Sequence, residues 1–142
     1  MLFIAYGVAV KSAIATGNND IAEVKVEDLS VNASSTTTKY GVAVSGSAIT
    51  ITAQNSVGET VTGYAGNKAI TVKVEKKTAL GTSDVTDSFI APADKNSIKN
   101  FVAGKLEITP TTMPSVTPGT NAIYIITVSK QGSKITGSAE IK

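Results

Sequence analysis

Carboxylates, lysines and hydroxyls are the chemical repertoire of this chain, since its 142 residues include neither histidine nor cysteine. Histidine is the usual general base near neutral pH and, with cysteine, the usual ligand for transition metals. Zinc, copper, haem and iron–sulfur centres of the ordinary kinds are therefore excluded, as are Ser-His-Asp and Cys-His nucleophilic catalysis. A glycosidase would need two carboxylates flanking a cleft. Glu23 and Glu27 instead share the polar face of an alternating segment with Lys25, which reads as a solvated strand face. Asp84 and Asp87 in GTSDVTDS, and Asp20 in TGNND, offer oxygen ligands of the kind calcium takes. Neither loop has the twelve-residue alternation of acidic ligands, and Asn, Asp, Gly and Ser are what turns use in any case. The expectation is no metal, no cofactor and no enzymatic activity.

Other ligands are weighed in the same way. Neither GxxxxGK[ST] nor GxGxxG occurs, and the glycines at 41, 46, 58, 63 and 66 fall at turns or in strands, which argues against a phosphate cradle. All 13 basic residues are lysine. Arginine supplies the bidentate fork that phosphates and base edges favour, so specific nucleic-acid recognition is not expected. Glycan binding would call for an exposed aromatic platform, whereas Tyr6, Tyr40, Tyr64 and Tyr124 alternate with apolar neighbours in predicted strands and read as sheet packing. Asn32-Ala33-Ser34 forms an N-glycosylation triplet, relevant only to a chain secreted from a cell that glycosylates.

The elements that must hold these residues are strands. Threonine, serine, alanine, valine and glycine dominate, aromatic residues make up 5%, and such a small, β-branched composition suits pleated sheet. In AEVKVEDLSV, residues 22–31, apolar and charged residues alternate, with a phase slip at Glu27-Asp28 that reads as a bulge or turn. YGVAV (40–44) and AITITAQ (48–54) flank Ser45-Gly46-Ser47 as a hairpin. GETVTGYAG (58–66) and KAITVKVEKK (68–77) are expected to form a second around Gly66-Asn67. A third pairs AIYIITVS (122–129) with KITGSAEIK (134–142). Recurring hairpins predict an all-β fold, an antiparallel β-sandwich of immunoglobulin-like or jelly-roll-like type. Within APADKNSIKNFVAG, residues 91–104, Ile98, Phe101 and Val102 fall at helical spacing between Asp94 as N-cap and Gly104 as stop. This predicts one short helix over residues 94–103. TPTTMPSVTPGTN, residues 109–121, holds three of the 4 prolines and is expected to be an extended binding or docking loop.

The first ten residues, MLFIAYGVAV, are almost wholly apolar but too short to span a bilayer, which takes roughly 20 residues. The absence of positive charge before Leu2 also departs from a secretory signal. Two readings follow: an internal strand covered on both faces, or a strand donated to a neighbouring copy. The division expected is residues 1–17 as apolar strand and hinge, exchangeable between subunits, and residues 18–142 as a single sandwich domain. Leu2, Phe3, Ile4, Tyr6, Val8 and Val10, with Met113 and Val116 of the long loop, are the expected subunit contacts. In composition the chain resembles the β-sandwich structural proteins of virions, such as capsid decoration or tail proteins, and prokaryotic surface-filament subunits. That resemblance implies a non-enzymatic structural protein that builds a homo-oligomeric assembly, foremost a virion component with itself or a second virion protein as partner. An intact Met1 without a signal favours the virion. The alternatives are a secreted pilus or biofilm filament subunit at the cell surface, assembling by donor strand, and a glycan- or host-surface-binding module.

Overall fold

The computed structural model describes residues 35–142. The expectations for residues 1–17, for the alternating segment 22–31, and for Asp20 and Asn32 lie outside the described residues. Among the described residues eight strands follow in order: β1 (Lys39–Ser45), β2 (Ala48–Gln54), β3 (Gly66–Thr78), β4 (Gly81–Asp84), β5 (Asn96–Phe101), β6 (Lys105–Ile108), β7 (Ile123–Lys130) and β8 (Thr136–Ile141). Two single-turn helices, α1 (Thr86–Phe89) and α2 (Pro92–Lys95), lie between β4 and β5. A three-stranded sheet, β1-β2-β6, packs on a five-stranded one, in which β3 and β7 are central and every pairing is antiparallel. The expected all-β sandwich is thus the observed fold.

Alternation explains which residues face inward. β2 buries Ile49, Ile51 and Ala53 completely, β3 buries Ile70, Val72 and Val74, and β7 buries Ile126 and Val128. Burying each of these isoleucine and valine side chains contributes about 1.5–3 kcal/mol relative to leaving it exposed. Aromatic residues close one end of this core. Tyr40 stacks on Phe101 with ring centroids 5.6 Å apart, Tyr64 meets Phe101 edge-on at 5.0 Å, and the two tyrosine hydroxyls hydrogen-bond at 2.8 Å. Burial, reinforced by the Tyr64 hydroxyl, pushes the Tyr40 phenol well above the ordinary range. Gly137 lets the two sheets meet at β1 and β8. A Cβ there would stand 1.8 Å from the Tyr40 carbonyl oxygen, so no other residue fits without moving backbone.

The first and third expected hairpins are present, β1–β2 and β7–β8. The middle one is not. Gly66 and Asn67 open β3 instead of turning, residues 61–65 are loop, and Tyr64 is therefore a loop residue. The chain must cross from one sheet to the other here, and an Asn55 side chain that accepts from the amides of Val57 and Glu59 makes the turn first.

The helix expected over 94–103 is also corrected. It is reduced to α2, and residues 96–101 form β5. Six register pairs with β3, from Gly66↔Phe101 to Thr71↔Asn96, satisfy an edge that would otherwise be open, which no isolated helix of two turns could match. The apolar spacing was fortuitous, since Phe101 is buried while Ile98 and Val102 are exposed. Asp94 sits inside α2 and pairs with Lys99 rather than capping. Gly104 ends no helix. With Ala103 (φ 50°) and Gly104 (φ 81°) both left-handed, it completes a two-residue turn of the mirror-image hairpin type, leading β5 of one sheet into β6 of the other.

Candidate binding cleft

β3 is 13 residues long, and its last four pair with β4 to form a hairpin that projects beyond the core. Leu80 sits at its tip, held by a hydrogen bond from its amide to Thr78 Oγ1 (3.2 Å), and its side chain is wholly exposed. On the other side of β3, register places Lys76 opposite Tyr124 of β7. The Lys76 ammonium lies 5.9 Å from the Tyr124 ring centroid. Phe89 of α1 packs edge-on against the same ring at 5.4 Å. Thr111 donates from both its amide and its hydroxyl to the Phe89 carbonyl, so α1 also fixes the start of the 109–121 loop.

That loop has no regular structure but is anchored. Pro110 and Pro114 are buried, and Met113 packs against the core. Thr117-Pro118-Gly119-Thr120 forms a tight turn, with Gly119 at φ 88° and Thr120 donating to the Thr117 carbonyl from amide and hydroxyl. Proline and then a positive-φ glycine are the central residues that a type II turn requires. The turn faces the β3–β4 tip across an open cleft of about 400 Å³. Leu80, Ala79, Val116, Ala122 and Tyr124 provide its apolar lining, Thr78, Ser115, Thr117, Thr120 and Asn121 its hydroxyl and amide groups, and Lys76 its cation.

Among the described residues no carboxylate lines the cleft, and its apolar walls with one lysine suit an apolar body that carries a negative charge. The two candidate subunit contacts of the loop part company here: Val116 lines the cleft, whereas Met113 faces the core. Leu2, Phe3, Ile4, Tyr6, Val8 and Val10 lie outside the described residues. Sequence reasoning missed Leu80, Lys76 and Tyr124 as a group. The available signal was Leu80 itself, an apolar residue flanked by Ala79 and Gly81 between two polar strand ends.

The acidic residues weighed as calcium ligands have other work. Asp84 Oδ1 accepts from the hydroxyl of Thr86 (2.6 Å) and from its amide (2.9 Å), and these bonds hold the carboxyl below its usual range. Asp87 pairs with Lys95. Among the described residues no three His, Cys, Asp or Glu side chains cluster as a metal site, and no helix is long and apolar enough to cross a membrane. No family model, curated protein or solved structure matches the chain.

Proposed function

We propose that this chain is a non-enzymatic structural protein that assembles with copies of itself, foremost as a decoration or tail component of a virus particle. The observation that carries the reading is Leu80, a large apolar side chain fully exposed on a hairpin tip beside an apolar cleft. Apolar groups gathered in this way mark interaction surfaces. The sequence adds a second contact element, the apolar segment 2–10, as a strand offered to a neighbour. In a pilus or biofilm filament subunit the same contacts would operate outside the cell.

Light-scattering mass of the full chain, measured beside a version lacking residues 1–11, tests this reading. Mass that grows with concentration supports assembly, and its loss on truncation assigns the contact to the N-terminal strand. The hydroxyl-rich lining and the cation of Lys76 favour a second reading, a binding module for acidic glycans. A monomer at every concentration that binds an acidic polysaccharide saturably would replace the first reading with the second.

A further inference from the structure

The cleft has a counterpart at the opposite pole of the sandwich. β3 rises roughly 3.3 Å per residue, so its 13 residues put roughly 40 Å between its two ends. The cleft lies at the end of β3. Near its start, the β2–β3 loop presents Val57, which is 69% exposed. Asn55 makes this loop a stiff knob: its Oδ1 accepts from the amides of Val57 (3.1 Å) and Glu59 (2.9 Å), its Nδ2 donates to Glu59 Oε1 (3.0 Å), and its carbonyl accepts from Gly58 (3.1 Å). An apolar side chain and a carboxylate are thus held two residues apart on one projection.

The two poles match in chemistry. The cleft offers apolar walls and one cation, and the knob offers one apolar group and one anion. Ion pairs among the described residues occupy Lys73, Lys95, Lys99 and Lys142, and neither Lys76 nor Glu59 belongs to one. We infer that the cleft receives a second copy of this chain, with Val57 of one copy seated among Leu80, Val116 and Tyr124 of the next and Glu59 facing Lys76. This inference rests on the self-assembly reading above and names its interface. The contact joins different surfaces at opposite poles, so it is head-to-tail. Repetition gives a ring where the rotation closes and a filament where it does not. Stiffness in the knob lowers the ordering cost of docking.

The test is a complementation experiment on the full chain. Val57→Asp spoils the knob and leaves the cleft intact, whereas Leu80→Asp does the reverse. Both sites are exposed, so each variant should melt at the wild-type temperature. Each alone should weaken association roughly 30-fold or more, as expected for the central residue of an interface. Mixed together they should form a discrete 1:1 dimer, because one good knob and one good cleft remain. Glu59→Lys and Lys76→Glu, each weakened alone, should co-assemble into an alternating polymer on mixing, because opposite charges then meet at both poles, and the double variant should polymerise again. Wild-type assembly that both Asp variants leave untouched would overturn this interface while sparing the assembly reading. Two monomeric variants that stay monomeric when mixed would overturn it too, since a contact between like surfaces gives that result. A wild-type chain that is monomeric at all concentrations would overturn both readings.

Discussion

The two edges of β3 are built in different ways. Along one, β7 pairs without interruption from Lys77↔Ile123 to Ile70↔Lys130, and the inward residues Val72, Val74, Ile126 and Val128 are all buried. Along the other, two short strands share the edge. β5 takes residues 66–71 and β4 takes 75–78, with α1 and α2 between them. A single buried side chain bridges the break. The Val74 carbonyl accepts from the Val85 amide, but the Val74 amide donates to the hydroxyl of Thr86 at 2.9 Å, where a strand would have supplied a carbonyl. The Thr86 hydroxyl in turn donates a hydrogen bond to Asp84 Oδ1. One edge is thus secured by an unbroken ladder with repeated apolar pairs, and the gap in the other by one hydroxyl with a carboxylate behind it.

Substitutions on the two edges should separate these mechanisms. Ile126→Ala on the continuous side empties a fully buried site and should cost about 2–5 kcal/mol in denaturant unfolding. Thr86→Val keeps the shape but leaves the Val74 amide without an acceptor, and should cost about 1–3 kcal/mol. Thr86→Ser, which restores the hydroxyl, should recover most of that loss. If Thr86→Val proves neutral, the edge does not depend on this hydroxyl and the two edges are held in the same way.

Hydrogen exchange and pH sharpen the same contrast at smaller amplitude. Amides of β4 should exchange well before those of β3 and β7 that pair with each other, because β4 is exposed along its whole length. Asp84 has a lower carboxyl pKa when folded than when unfolded, so between the two values the native state binds fewer protons. Its stabilising effect is present above the ordinary carboxylate range and is lost as pH falls through the folded value. Thr86→Val should reduce this part of the acid sensitivity, since the hydroxyl bond is lost while the amide of residue 86 still donates to Asp84, and an unchanged acid profile in that variant would show that the hydroxyl contributes nothing to it.

The same division decides how much could be read from the sequence. β1–β2 and β7–β8 were legible because alternation and turn residues are local signals, as at Gly46. β5 was not, because the reason residues 96–101 are extended is the unfilled edge of β3, some thirty positions away in the chain. Gly66-Asn67 has turn chemistry but lies in a strand for the same reason. The long loop was identified from its prolines, and Val116 in it does line the cleft. Lys76, Leu80 and Tyr124 were not grouped, because three separate segments form one surface only after β3 and β7 pair.

The β3–β7 ladder also bears on how the chain acquires its structure. Lys77 and Ile123 are adjacent in space but 46 positions apart in sequence, and Ile70 and Lys130 are 60 apart. Loops of that span make pairing slow, because closure entropy is lost before contacts reward it. During synthesis β4 and β5 leave the ribosome first and cover one edge of β3. The other edge must wait for β7. That interval is when premature pairing between nascent chains is most probable, and faster elongation between residues 78 and 123 would shorten it.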